Sequence, residues 1–548
     1  MAPRPATLDQ VASYLTSGYH RWDGRPALHW ELGSSRVLTV NLTGLTPQGQ
    51  AAARAALDAW EMVANIQFQE VRGGAKITFA DEGDRSNNSV SYYPDGSLLS
   101  ATVKIGQGWL DKYGSAVGTY GFQTYIHEIG HALGLGHSGP YDGGATYANA
   151  AFQNDSWQAT VMSYLDQDEN PTIRAAKAYV LTPMMADVIA IQALYGAPKA
   201  GATAGNTTYG VGSAIPNYLA GVFGPGAGDL ARHAMTVHDV SGIDTYDFSG
   251  TALAQVIDLT PGTLSSVYGL IDNLWTSRGS VIENATGGGG ADRITGNQAA
   301  NVLRGMGGAD SLLGGLGADR LEGGDGNDVL YGGAGVDRAF GEAGNDVLYG
   351  GADSDSLYGG TGDDALWGEA GNDRLWGEAG NDRLEGGDGA DLLYGGAGLD
   401  RLEGSGGADS LYGDDGDDTL IGGLDADAVY GGAGNDGLFG GDGNDRLLGG
   451  DGADRLDGGT GNDALYGGVD ADVFVFTGGR DVLWYFQDNV DTILFDDALW
   501  GGGARTAEAI MRSASVVDGD VVFTFGANTL RLEGRADLGA LVDDLGWV

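Results

Sequence analysis

Three imidazoles and a carboxylate are spaced along residues 127–137 in a pattern that suits a metal ion. The stretch reads His127-Glu128-Ile-Gly-His131-Ala-Leu-Gly134-Leu-Gly-His137 and holds three of the chain's seven histidines. At about 100° per residue, Glu128 falls at about 100° and His131 at about 40° from His127, so all three share one arc of a helix. Neutral imidazole nitrogens one turn apart can both reach a Zn²⁺ ion at about 2.0–2.1 Å, and Glu128 beside them is placed to take a proton from metal-bound water. Gly134 can adopt the left-handed backbone that ends a helix, which turns the chain and brings His137 back to the same ion. Three protein nitrogens leave one position open, as a catalytic zinc requires. A bare His-Glu-x-x-His occurs by accident on many helices; the added glycine and third histidine at fixed offsets make accident a poor explanation here.

These side chains need a rigid support. Phe122, Tyr125, Ile126, Ile129, Ala132 and Leu133 recur at helical spacing, so the segment entering the motif is expected to be an amphipathic helix with that stripe in a core. Upstream, residues 36–41 alternate as a strand, and Thr46-Pro47 has the form of a capped helix start, with the helix running through Leu57 and Trp60 to about residue 64. Residues 66–71 and 75–80 read as further strands. Downstream, residues 138–170 are rich in Gly, Asp, Asn and Ser without clear periodicity. Residues 183–195 then give an apolar helical pattern that stops at Gly196.

At residues 127–137 the sequence resembles the metzincin metallopeptidases, whose signature continues to a downstream Met-turn. Thr160-Val161-Met162-Ser163-Tyr164 supplies one, and its Met-Ser-Tyr is similar to the serralysin branch, secreted bacterial zinc endopeptidases. The resemblance implies that Met162 forms a hydrophobic floor under the metal. It also implies that Tyr164 acts as a further, displaceable zinc ligand that can stabilise the tetrahedral oxyanion. The order of strands and helices matches the metzincin upper subdomain, in which an edge strand near residues 75–80 would bind peptide by strand addition. Residues 1–35 fall where a short propeptide covering the active site would end.

Composition narrows the setting. Among 548 residues there are 100 glycines and 75 acidic side chains against 29 Lys plus Arg, a formal charge of −46. So acidic a chain is not expected to seek nucleic acid or anionic lipid, and divalent cations are the natural counter-charge. With no cysteine there is no disulfide framework, no thiolate metal site and no propeptide thiolate to silence a zinc. The start lacks a basic stretch followed by an apolar core, so no Sec-type signal peptide is read, and no run approaches the roughly 18 apolar residues of a membrane span.

From about residue 287 to 472 a nine-residue period of the form Gly-Gly-x-Gly-x-Asp-x-Leu-x takes over. Its carboxylates are Asp310, Asp319, Asp328, Asp337, Asp346, Asp355, Asp364, Asp373, Asp382, Asp391, Asp400, Asp409, Asp418, Asp427, Asp436, Asp445, Asp454 and Asp463, ending at Asp472. This nonapeptide is identified as the calcium-binding β-helix repeat of RTX proteins. Glycines permit the tight turn and let carbonyls converge, the Asp gives a hard oxygen ligand, and the aliphatic centres a short strand. Two repeats make one coil, so the ligands of a site should lie eighteen residues apart, as Asp310 with Asp328 and Asp319 with Asp337. The aliphatics then line two opposed sheets with a thin core. The segments around Asp239, Asp244 and Glu283 resemble the opening of the family's C-terminal calcium domain, which makes these three candidate calcium ligands.

The expected architecture is an α+β metzincin catalytic domain followed by an all-β parallel β-roll. Its divisions are a leading segment 1–35, a catalytic domain 36–197, a linker and calcium-domain start 198–286, the roll 287–472, and a cap with a C-terminal secretion signal 473–548. The expected function is a secreted zinc endopeptidase acting on protein or peptide substrates, with one catalytic Zn²⁺ and several structural Ca²⁺ ions. It is expected to be exported without an N-terminal signal peptide by a type I apparatus, and a monomer is the default. Two other readings are open to the same residues: a calcium-dependent surface or matrix protein with a vestigial peptidase domain, and a zinc hydrolase acting on cell-wall peptides.

Overall fold

The computed structural model describes residues 3–141, 145–167, 169–173, 175, 177–199, 203–213, 215, 217–219, 222, 232–501 and 506–548. The chain divides into two compact units, Met1–Thr295 and Gly296–Val548.

The first unit begins with α1 (Leu8–Ser13), where Thr7 and Gln10 form a capping box, followed after a short π-turn by α2 (Tyr19–Trp22). A five-stranded sheet is built from β1 (Val37–Gly44), β2 (Gln67–Glu70), β3 (Ile77–Ala80), β4 (Ser86–Tyr92) and β5 (Leu98–Ile105), in the order β2-β1-β3-β5-β4. Leu38, Val40 and Leu42 alternate into the core along β1, as their period of two requires. Between β1 and β2 runs α3 (Pro47–Glu61), started by the Thr46 side chain on the Gly49 amide and by proline at its first turn.

The strand available to a peptide is not the one expected. The strand near residues 75–80 is β3, which is paired on both sides, to β1 and to β5. The edges are β2 and β4, and β4, antiparallel to β5, is the one that reaches the cleft described below. Its sequence, Ser-Asn-Asn-Ser-Val-Ser-Tyr, carries almost no apolar signal because one long side of it has no partner to bury against, so the pattern that finds buried strands passes over it.

After α4 (Gln107–Tyr113) comes the central helix α5 (Tyr120–Ala132), capped by Thr119. Phe122, Tyr125, Ile126 and Ile129 are fully buried. Trp60 of α3 donates its indole N–H to the Ile126 carbonyl at 3.1 Å, and Trp30 donates to the Ala132 carbonyl at 2.8 Å. Then α6 (Met185–Tyr195) closes this part and ends at Gly196, whose φ of +84° is the left-handed stop that glycine allows. The unit continues as a four-stranded sheet of Tyr179–Val180, His233–Val237, Leu274–Thr276 and Leu264–Ser265.

The second unit is a parallel β-roll. Strands of about six residues, such as Ser311–Leu316 and Val329–Ala334, stack on partners eighteen residues away, with Leu312 level with Leu330 and Leu330 with Leu348. The alternate strands, such as Arg320–Asp325 and Arg338–Ala343, form the opposed sheet in the same way. Each inward leucine, with Ala339 and Val429 in its place on two coils, is fully buried. At roughly 1.5–3 kcal/mol for each buried leucine, the stack gains stability coil by coil. Beyond residue 472 the sheets go on through Val473–Phe476 and Arg480–Trp484, and an antiparallel meander of Ala514–Val517, Asp520–Phe525 and Asn528–Leu532 joins the second of these through the parallel pairing of its last strand.

Candidate metal centre and carboxylate ladder

His127 and His131 stand one turn apart on α5, and the helix ends at Leu133. Gly134 follows with φ +102°, and a side chain there would collide with the Leu28 carbonyl. This bend returns His137 to the other two. One nitrogen from each of the three rings lies within 4.8 Å of the others, and they are the only such group of three potential ligands found among the described residues.

The tautomers are set from behind. His127 Nδ1 lies 2.8 Å from the Val161 carbonyl and His131 Nδ1 lies 2.8 Å from the Leu135 carbonyl, so both Nδ1 atoms carry the proton and both Nε2 atoms keep a lone pair. The Nε2 of His127 is buried without a hydrogen-bond partner, and the Nε2 atoms of His131 and His137 face each other at 3.0 Å. Burial holds His127 down to about 4, and burial followed by the neighbouring imidazoles holds His131 and His137 well below the ordinary histidine value. Three neutral, converging nitrogen donors in a buried site fit a borderline-soft divalent ion such as zinc.

Met162 is fully buried, with its sulfur 2.6 Å from where a Cβ on Gly130 would stand. Gly130 falls between the two helical histidines in sequence, so the thioether packs against that turn of α5. The turn carrying it is tied down by Asp187, which sequence reading did not single out. This carboxylate accepts from the Thr160 hydroxyl, from the Val161 amide at 2.7 Å and from the Met184 amide at 2.9 Å. It thereby joins the Met-turn, whose Val161 carbonyl orients His127, to the start of α6. The available signal was an acidic residue at the third position of a helix, where a side chain reaches back to cap.

Tyr164 stacks at 4.6 Å from the His137 ring and 5.5 Å from the His127 ring. With Glu128, His131 and His137 it lines an open cleft of about 900 Å³. One wall is β4, through Ser86 to Val90, and Asn88 pins that strand to α5 by donating to the Glu128 carbonyl at 3.2 Å. The opposite contribution comes from the N-terminal segment, through Tyr19, His20, Arg25 and Leu28. Tyr19 meets the His137 ring edge-on at 5.1 Å, and His20 Nε2 donates to the Gly134 carbonyl at 2.7 Å. The resemblance places residues 1–35 near the site as the end of a propeptide, but no residue type in them marks Tyr19, His20 or Arg25 as lining it.

In the roll, the repeat carboxylates from Asp328 to Asp472 each use one oxygen to accept the backbone N–H of the Asp eighteen residues earlier, as Asp337 does from Asp319 at 2.7 Å, and Asp319 accepts in the same way from the Asn301 amide. The other oxygen, Oδ2, is buried without a hydrogen-bond partner at every ninth residue from Asp319 to Asp472. Around Gly332, the Asp337 Oδ2 and the Gly350 carbonyl each lie 2.6 Å from the place a Cβ would fill. Hard oxygens therefore converge on room that only glycine leaves, a donor set suited to calcium. Burial, with help from the next carboxylate along, pushes Asp355 and Asp364 up to about 7. The first repeat positions differ: Asp292 accepts from the Gln255 and Gly288 amides, and Asn301 accepts from the Asn297 amide.

Asp239, Asp244 and Glu283 are also brought together, though less tightly than the histidines. Glu283 accepts from the Asp244 amide at 2.7 Å, Asp239 accepts from the Tyr209 hydroxyl at 2.6 Å, and Asp244 keeps a buried Oδ2 without a hydrogen-bond partner. Burial raises all three carboxyls, Asp244 to about 7.

Residues 203–497 match the family described as Peptidase M10 serralysin C terminal, and residues 35–155 match Matrixin. A metallopeptidase AprA of Pseudomonas marginalis is 33% identical over 326 residues, which cover 54% of this chain and 67% of that one. A serralysin of Proteus mirabilis is 38% identical over 279 residues, 46% of this chain and 54% of its own length. Serralysin C of Dickeya chrysanthemi is 36% identical over 317 residues, 52% of this chain and 63% of its own. The chain thus spans between about half and two thirds of the relatives it matches.

Proposed function

The chain belongs to the serralysin-type M10 metallopeptidases, and from that premise we propose that it is a secreted zinc-dependent endopeptidase whose C-terminal roll is folded by calcium. The observation that carries this reading is the convergence of three imidazole nitrogens, two of their rings buried and that of His131 half-buried, beside Glu128 in a cleft walled by an unpaired strand edge. Zinc held by His127, His131 and His137 would polarise the scissile carbonyl and acidify a water molecule. The free edge of β4 takes an extended peptide by main-chain pairing and lays it across the cleft. Glu128 removes the proton from the attacking water and delivers it to the leaving amine nitrogen. The Tyr164 hydroxyl donates a hydrogen bond to the oxygen on which charge develops. Met162 holds the floor, and Asp187 holds the turn that carries it through Thr160 and Val161.

Calcium is assigned to the ladder from Asp310 to Asp463 and to the cluster of Asp239, Asp244 and Glu283. Export by a type I apparatus, with the signal in the last residues, and a monomeric state complete the reading; no helix among the described residues is long and apolar enough to cross a membrane. The test is Glu128→Ala: the variant should bind zinc as the parent does and lose casein cleavage by at least about a thousandfold. Cleavage at the parent's rate by a zinc-loaded variant would remove the base from the reading.

A further inference from the structure

The charge of the cleft departs from that of the chain around it. The protein carries a formal charge of −46, yet among the described residues the acidic and basic side chains lining the cleft are Arg25, Arg85 and Glu128, of which Glu128 is already committed to the chemistry. Arg85 stands at the start of the edge strand and is exposed. Arg25 is held on the opposite wall. Its backbone N–H donates to the His20 carbonyl at 2.7 Å, and its guanidinium is ion-paired with Asp23 while 32% of its side chain stays open to solvent. Since His20 in turn holds the Gly134 carbonyl, Arg25 is fixed to the bend that delivers His137. Its charge is near enough to add to the forces that keep His20, His131 and His137 neutral.

We propose that Arg25 is a specificity-determining residue that selects an acidic side chain on the flank of the scissile bond running past His137. A guanidinium presents five donors in a rigid fork, and the Asp23 pair recorded here engages one Nη, so donors remain for a second carboxylate. The same pair fixes the fork in place, which lowers the ordering cost of binding. A lysine or arginine in the substrate would face like charge at that point, and a neutral residue would gain nothing from it.

The inference rests on the endopeptidase reading, and one experiment separates the two. The full chain, loaded with zinc and calcium, is given a neutral fluorogenic peptide and sets in which Asp, Glu or Lys replaces one residue at a time on either side of the cleavage point. Wild type, Arg25→Gln, Arg25→Glu, Arg25→Lys and Arg85→Gln are compared by kcat/KM at low and high salt, with zinc content as the check on folding. The expected result is one position at which an acidic residue raises kcat/KM about fivefold over neutral. That ratio should fall to about one in Arg25→Gln, turn toward lysine in Arg25→Glu, survive in part in Arg25→Lys and shrink at high salt. An acidic preference that is absent from the wild type, insensitive to salt, or intact in Arg25→Gln but lost in Arg85→Gln overturns the inference. If the wild type cleaves none of the peptides, it is the endopeptidase reading that fails.

Discussion

A histidine is aimed as a metal ligand when its other nitrogen is held, and for two of the three here backbone carbonyls do this. Val161 and Leu135 accept from His127 and His131, so the free lone pairs point inward by construction. Tyr164 belongs to the same scale, because its ring rests on those of His127 and His137 and its hydroxyl is its one polar group. Replacing Tyr164 with Phe keeps the ring and removes the donor. We expect zinc content to hold and kcat to fall by about 10²-fold with KM little changed, as for loss of one oxyanion donor. A rise in KM alone, with kcat kept, would make the tyrosine a substrate contact. The ligands themselves were legible because their spacing is a property of one helix and one glycine. The wall of Tyr19, His20 and Arg25 was not, because it meets the motif across more than a hundred residues of chain.

At the scale of elements, the catalytic helix is held from several sides by groups of ordinary appearance. Trp30 and Trp60 donate to its carbonyls, and Asp187 secures the turn beneath it. Removing a buried carboxylate that satisfies three donors should cost about 3 kcal/mol, so Asp187→Ala is expected to melt well below the parent while Asp187→Asn loses less. Burial pushes this carboxyl up to about 7, above its unfolded value near 3.8. The folded state therefore binds the proton more tightly, and the contribution is full below about pH 4 and fades as pH rises through about 7. Denaturant titrations at pH 5 and pH 8 should show the advantage of wild type over Asp187→Asn shrinking at the higher pH; an advantage that grows would contradict the assignment. The helices α3, α5 and α6 and the strands β1 and β3 could be read from apolar period, while β5, paired on both sides, was not read. The edge strand β4 could not, since an element that leaves one side for a ligand does not carry the mark of burial.

For the whole molecule, the −46 charge and the hundred glycines are two sides of one device. Each coil buries a carboxylate oxygen that has no hydrogen-bond donor, so the roll carries a repeated electrostatic cost that a divalent ion removes. Other contacts hold the coils in register without an ion. Phe340, Tyr358, Trp376, Tyr394, Tyr412 and Tyr430 stack ring on ring at 4.4–6.1 Å, with the Arg320 guanidinium 4.1 Å from the Phe340 ring and that of Arg446 5.9 Å from the Tyr430 ring. The nine-residue period made the roll itself readable, while these stacks depend on the eighteen-residue coil and emerge only once the strands are in place. Circular dichroism during a calcium titration should show strand content rising steeply in the millimolar range and falling with chelator. Strand content indifferent to chelator would mean that leucine packing and stacked rings suffice alone.

The claim on which the account rests is that the three imidazoles hold a metal without which no peptide bond is cut. Elemental analysis and casein hydrolysis on one preparation, before chelation, after it and after zinc is restored with calcium kept saturating throughout, measure it directly. The account predicts one zinc per chain, activity lost with the metal and recovered on its return. Undiminished hydrolysis by protein shown to be free of transition metal would contradict it.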